Sequence, residues 1–393
     1  MKTKLSLIAA ALFATLPAIA AEPTNQELLE LLKKQQLEIE ALKQQAKKTD
    51  EKVEETDSKI ESTAEAIESS MGMGSASKTH LGGYGELHYN NIEDNEQVDF
   101  HRFVMFLDHE FTDKIRFYSE LELEHSLSGD GEPGSVALEQ AFIEIDLTES
   151  TRVQSGILLT PVGILNETHE PNTFYGVERN PIEKNIIPTT WREAGVAIDT
   201  KFAAGFSGNF SVHSGLDVPT DGGNSYLIRS GRQKVANADA DSLAYTARLK
   251  YTAIPGLELS GSYQYQSDIT QGLLDTKASL LSLHAIYNRG NFGLRALYAG
   301  WQIDGAEAEL FGRDEQNGYY VEPSYRVNEK FGVFLRYGAW DNEAGLSLDS
   351  EKKQSNVGFN YWPHENVVFK FDLENRSGAQ EGNGFNLGLG YQF

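Results

Sequence analysis

The sequence predicts an all-β protein: a 16-stranded antiparallel transmembrane β-barrel preceded by an α-helical coiled coil. Three observations carry this. From His80 onward, apolar and polar residues alternate with a period of two in segments of about ten residues, the pattern of strands with one face in hydrocarbon. The connections between these segments alternate short and long, as they do in up-and-down outer-membrane barrels. Ahead of them, from Leu28 to Ser70, apolar residues keep a heptad spacing.

Composition narrows the field. The 393 residues carry 34 Lys and Arg against 58 Asp and Glu, a formal charge of -24, so no basic surface for nucleic acid is expected. There is no cysteine, which excludes disulfides, a thiol nucleophile and thiolate metal ligation. The 36 glycines, 20 Phe and 17 Tyr suit many short strands.

Residues 1–20 read as a signal peptide: Lys2 and Lys4 precede an apolar run from Leu5 to Leu16, followed by Pro17 and Ala18-Ile19-Ala20. That run is shorter than the ~20 residues of a spanning helix. Residues 21–71 read as the coiled coil. Leu32, Ile39, Ala46, Val53, Ile60 and Ile67 fill one seam position, and Leu28, Gln35, Leu42, Thr49, Thr56, Thr63 and Ser70 the other. The mixed seam does not choose between two and three strands. Residues 72–79, rich in Gly and Ser, form a linker.

The barrel is assigned to residues 80–393. Strands are expected to begin near 80, 98, 114, 136, 152, 191, 206, 243, 257, 277, 292, 319, 331, 354, 367 and 385. In Lys114 to His125, for example, Ile115, Phe117, Leu121 and Leu123 oppose Arg116, Glu120, Glu122 and Glu124. Long loops are expected at 90–97, 126–135, 160–190, 217–242, 267–276, 304–318, 341–353 and 375–384, with short turns between. Tyrosines on the apolar parity, Tyr245, Tyr263, Tyr298, Tyr325, Tyr337 and Tyr361 among them, fall near strand ends as an interfacial girdle requires. A closed barrel is the β structure that satisfies its backbone in lipid, and sixteen strands leave an aqueous lumen.

Several stretches carry a resemblance to the phosphate-selective porin O/P-like family of outer-membrane porins. They are "LGGYGELHYN", "HRFVMFLDHEFTDKIRFYSELELEH", "ALEQAFIEIDL" with "VQSGILLTPVGILNE", "NIIPTTWREAGVAID", and the terminal "GLGYQF". The resemblance covers roughly the whole barrel. It implies a homotrimer in the outer membrane of a Gram-negative bacterium, in contact with outer-membrane lipid, and a water-filled channel for passive diffusion of small hydrophilic solutes, phosphate-like anions among them. Tyr391 and Phe393 are implied to belong to a signal read by the barrel-assembly machinery. The coiled coil would lie in the periplasm. A structural barrel tethering that coil to the cell wall is the alternative.

The resemblance also implies that the third long loop folds inward and narrows the bore. Its constriction candidates are Glu167, His169, Glu170, Glu178, Arg179, Glu183 and Lys184, and an external surface loop is the other reading. Pore-lining candidates are Arg102, Arg116, Glu120, Glu122, Arg192, Arg248, Lys250, Arg295, Arg336 and Lys370. Arginine and lysine along such a wall would pass an anion from site to site, yet acidic residues share the face, so the sign of selectivity stays open. Arg229, Arg232 and Lys234 are expected as an external basic patch at the mouth, or as a solvated loop. Strand histidines lie too far apart along the chain to share a metal, so no metal or cofactor is expected. No HExxH, GxSxG or phosphate-cradling glycine loop appears, and no enzyme activity is expected.

Overall fold

A chain of alternating segments closes into a cylinder only if its first and last strands can pair, and here they do. In the computed structural model, residues 78–93, 95–129 and 131–393 are described, together with three exposed helical positions, Lys33, Gln36 and Glu40. The chain divides into two units, Met1–Ser77 and Lys78–Phe393. The signal peptide, and the coiled coil apart from those three positions, lie outside the described residues.

The second unit begins with β1 (Thr79–Ile92), β2 (Asn95–Thr112), β3 (Ile115–Glu124), β4 (Ser135–Asp146), β5 (Thr151–Leu159) and β6 (Arg192–Lys201). Next come β7 (Phe206–His213), β8 (Ala244–Tyr251), β9 (Leu257–Gln266), β10 (Lys277–Arg289) and β11 (Phe292–Asp304). The wall ends with β12 (Glu315–Asn328), β13 (Phe331–Asp341), β14 (Lys352–His364), β15 (Val367–Gly378) and β16 (Gly382–Gln392). Two short helices, α1 (Ile182–Asn185) and α2 (Ala306–Leu310), sit in loops. Every strand starts within four residues of its expected position. Each pairs antiparallel with its sequence neighbours, and β1 pairs with β16 in the register Tyr84–Gln392, Leu87–Leu389 to close the barrel.

The faces are inside out relative to a soluble protein. Leu121, Phe210, Leu259, Leu283, Leu335, Phe369 and Leu387 point outward and are exposed, while Arg102, Glu120, Thr246, Gln264, Arg336 and Lys370 point inward and are buried. Lipid solvates the first set and the lumen the second. Tyr245, Tyr263, Tyr298, Tyr325, Tyr337 and Tyr361 are all on the outside. At the seam, a Cβ on Gly83 would meet the Val104 carbonyl oxygen at 2.2 Å, and one on Gly85 would meet the Tyr391 ring at 2.6 Å. The glycines of "LGGYGE" thus admit the terminal aromatics.

Two expectations on loop length are corrected. The strands flanking 90–97 and 375–384 run on to tight hairpins, leaving only 93–94 and 379–381 as connections. Both ends are polar on both faces, so alternation disappears from the sequence although the ladder continues. A third feature was not expected: lumen-side residues of β10 to β13 include Leu280, Leu297, Trp301, Tyr320 and Trp340, a buried apolar floor inside the barrel.

Candidate pore constriction

That floor explains the path of the third long loop. Residues 160–191 carry Val162, Ile164, Leu165, Ile182, Ile186 and Ile187, all buried against it, so the loop folds into the lumen to remove these side chains from water. Asn166 ties the loop's two ends together: its Nδ2 donates to the carbonyls of Thr160 (2.7 Å) and Trp191 (2.9 Å), and its Oδ1 accepts from Trp191 N (2.7 Å). Glu183 is fully buried. Its Oε1 accepts from Ile164 N (2.5 Å) and Leu165 N (2.7 Å), and its Oε2 from Asn180 Nδ2 (3.0 Å) and Tyr320 Oη (3.1 Å).

The wall grips the loop's backbone. Arg102 donates to His169 O (2.8 Å), Arg295 to Thr173 O (2.7 Å), Asn360 to Phe174 O (3.1 Å), and Arg336 to Tyr175 O. Asp372 accepts from Val177 N at 2.8 Å. The loop carboxylate Glu178 lies 3.0 Å from His88 Nδ1. Burial opposes its charge, but the imidazole's field and hydrogen bond hold it well below the usual carboxylate range.

Most wall charges are already paired. Arg102 meets Glu86 (2.5 Å), Arg336 meets Glu322 (2.6 Å), Arg116 meets Glu144 (2.8 Å) and Asp146 (2.5 Å), Lys250 meets Glu258 (3.3 Å), and Arg248 meets Glu167 of the loop. Lys370 sits 3.6 Å from the centroid of the Phe174 ring.

The polar space between the two in-folded loops and the wall is different. A cavity of about 170 Å³ is lined by Glu86, Glu122, Glu124 and Glu139 from the wall, and by Arg179, Arg192, Arg229 and Arg232. Arg192 reaches Glu139 at 3.5 Å. Among the described residues, Arg179, Arg229 and Arg232 have no carboxylate within ion-pair distance. Arg179 donates to Thr190 Oγ1 (2.9 Å), Arg229 to the carbonyls of Lys184 (2.6 Å) and Thr189 (3.0 Å), and Arg232 to those of Thr189 and Thr190 (3.4 Å each). The Nε atoms of Arg179 and Arg192 are buried without a hydrogen-bond partner. Burial, and then the guanidiniums of Arg229, Arg192 and Arg179, push the Arg232 group down from its ordinary value. Arginine nonetheless keeps its proton. The cluster therefore holds a positive charge that an anion would stabilise.

Outward of this point a cavity of about 540 Å³ shares His101, Glu178, Arg179 and Lys184 with it. Toward the short turns, Arg152, Asp199 and Arg248 line two further polar cavities.

A family model for phosphate-selective porins O and P matches residues 82–386. The chain belongs to that family. It is an outer-membrane channel protein of a Gram-negative bacterium. An uncharacterised protein of Aquifex aeolicus is 30% identical over 330 residues, covering 74% of each chain. Solved porins share the fold at low identity. An anion-selective porin from Comamonas acidovorans has a TM-score of 0.60 at 14% identity, covering 81% of this chain and 100% of its own. The channel DcaP of Acinetobacter baumannii has 0.55 at 15%, covering 80% and 97%, and the trimer form of OmpT from Vibrio cholerae has 0.55 at 12%, covering 81% and 100%.

In this porin the predicted residues divide by task. Arg102, Arg295 and Arg336 hold the in-folded loop. Arg116, Arg248 and Lys250 lie toward the short-turn side in carboxylate pairs. Glu122, Arg179, Lys184 and Arg192 line the narrow cavity, Glu178 with them. Glu120 and His169 face one another beside it (Oε1 to Nε2, 3.5 Å), while Glu170 is half-buried in the loop. Glu183 touches no lumen water and latches the loop. Arg229, Arg232 and Lys234, expected at an external patch, instead line the narrow cavity, because Tyr226 and Ile228 beside them bury in the apolar floor and draw the fourth long loop inward. The apolar spacing of "YLIRSGRQK" carried that signal. Glu86, Glu139 and His88 were missed, since nothing in their own strands marks them.

Proposed function

We propose that each barrel conducts small hydrophilic anions, phosphate-like ones among them, by passive diffusion, and that Arg179, Arg192, Arg229 and Arg232 form the site that draws them through. The observation that carries this is the guanidinium cluster with three unpaired members in the polar space that the in-folded loops leave against the wall. Wall carboxylates are mostly matched by arginines, so the uncompensated charge where the in-folded loops line the lumen is positive, and charge along a restricted path sets selectivity. Several guanidiniums offer planar forks to an oxyanion, while the lining Glu122 and Glu139 keep residence short. The anion-selective Comamonas porin shares the fold, and the trimeric OmpT supports reading this chain as a homotrimer, as does its family. Tyr391 and Phe393 form the assembly signal in this reading. On the same reading residues 21–71 are the periplasmic coil.

Planar bilayers containing the purified full chain test this directly. Three correlated conductance steps are expected per insertion, with a reversal potential of anionic sign across a KCl gradient. A barrel that inserts but carries no current would favour the tether reading, and a cationic reversal potential would overturn the assignment of the cluster.

A further inference from the structure

The contact between Glu120 and His169 belongs to a three-residue cluster of which the pore reading uses only Glu139. Glu120 on β3, Glu139 on β4 and His169 on the in-folded loop converge with one ligand-type atom each inside a 4.8 Å sphere of one another, and all three are at least 97% buried. His169 Nε2 lies 3.3 Å from Glu139 Oε2 and 3.5 Å from Glu120 Oε1.

The rest of each side chain is occupied elsewhere. Glu139 Oε1 faces Arg192 at 3.5 Å, Glu120 Oε2 accepts from Gln140 Nε2 at 2.8 Å, and His169 Nδ1 lies 3.1 Å from Asn166 O. With Nδ1–H donated to that carbonyl, Nε2 faces the two carboxylates. This is the outer-shell arrangement that orients imidazole and carboxylate toward a metal. His169 Nε2 and Glu139 Oε2 are both buried without a hydrogen-bond partner.

A bare imidazolium between two carboxylates is the competing explanation. It would draw its partners to the ~2.7–2.9 Å of charge-assisted hydrogen bonds, well inside the separations found. Ligands about 2.05 Å from a tetrahedral ion lie about 3.4 Å from each other, which matches the two separations from His169 Nε2. Glu139 also lines the 170 Å³ cavity, so an ion has a route in from the lumen.

We propose that Glu120, Glu139 and His169 bind one divalent transition-metal ion of the Zn²⁺ type, which fastens the in-folded loop to β3 and β4. Two carboxylates and a neutral imidazole match the donor preference of such ions, and three protein ligands leave a position for water. The ion would fix the wall beside the guanidinium cluster, so its loss would loosen the constriction without unfolding the barrel.

The test uses the full chain in detergent, stripped with EDTA and dialysed against Co²⁺ or Zn²⁺. The expected result is one ion per chain by elemental analysis and, for Co²⁺, the intense visible absorption of four-coordinate cobalt. His169→Gln and Glu139→Gln should each lower the affinity at least tenfold, while His284→Gln, a lumen histidine outside the cluster, should leave it unchanged. Heat-modifiable gel mobility shows that each variant is folded. Should the wild-type chain take up no ion at micromolar concentrations, or show only the weak absorption of six-coordinate cobalt, the proposal fails whatever the variants do. Retained stoichiometry and affinity in folded His169→Gln would equally overturn it.

Discussion

Gly83 and Phe393 exchange both backbone hydrogen bonds, Gly83 N to Phe393 O at 3.0 Å and Phe393 N to Gly83 O at 2.9 Å, so the last residue of the chain completes the barrel. The Phe393 ring stacks with Phe103 at 6.1 Å. The chain spends apolar residues on its terminus because that strand is a structural joint with one face in lipid.

Gly83→Val should therefore block closure. Its Cβ would sit 2.2 Å from the Val104 carbonyl oxygen, a backbone atom that cannot swing away. Folded, heat-modifiable barrel should fall severalfold on gels. Phe393→Ala removes only the contacts of a side chain that is already mostly exposed on the outer face. It should refold in detergent at near wild-type yield, yet reach the outer membrane of cells at a fraction of the normal level if Phe393 is read during assembly.

Arg232→Gln and Arg229→Gln should move the reversal potential toward cations more than Arg116→Gln does. Each removes an unpaired charge at the narrow cavity, where loss of about 1 kcal/mol changes the anion-to-cation permeability ratio by about fivefold. Arg116 sits toward the short-turn side between Glu144 and Asp146. Its removal changes charge where water screens it. Equal shifts from both positions would place the selectivity outside the cluster.

How much of this could be read from residues alone follows from what produces each feature. Alternation is imposed by lipid and water on the two faces of a strand, so Phe369, Lys370, Phe371 and Asp372 declared both their strand and their sides. The same logic fails where neither face meets lipid: the outer ends of β1, β2, β15 and β16 read as loops. It fails again inside the lumen, where Leu280, Leu297 and Trp301 occupy positions expected to be polar. Because that apolar floor went unread, Arg229 and Arg232 were placed at the mouth. Ion pairing was also hidden. Arg116 and Arg248 have the right parity for pore lining, but their partners, Glu144 with Asp146 and Glu167, lie 28 to 81 residues away.

Glu183→Ala should unlatch the constriction. Four donors converge on this one carboxylate, and truncation leaves buried N–H groups of Ile164 and Leu165 unsatisfied, a cost of roughly 3 kcal/mol. The sixteen-strand wall does not depend on it. The expected record is a barrel that still resists heat, with larger and noisier single-channel conductance. Glu183→Gln keeps one acceptor oxygen but loses the charge, so it should fall between. Unchanged conductance in folded Glu183→Ala would mean that the apolar floor alone holds the loop.

The salt dependence of selectivity separates a charged constriction from a simple size filter. At 0.1 M the screening length is about 10 Å, comparable to the reach of a charge across a narrow bore, and at 1 M it is about 3 Å. Three unpaired guanidiniums at one level should then give a strong anion preference in dilute KCl that declines severalfold by 1 M. Single-channel conductance in dilute salt should also exceed the value scaled from bulk conductivity, because the cluster concentrates anions locally. Adding millimolar phosphate to the chloride solution should lower the current if a divalent oxyanion dwells longer at the forked donors than chloride does. A reversal potential that stays constant from 0.1 to 1 M would leave the positive cluster without a role in permeation, since no mechanism based on its charge escapes screening by the electrolyte that fills the lumen.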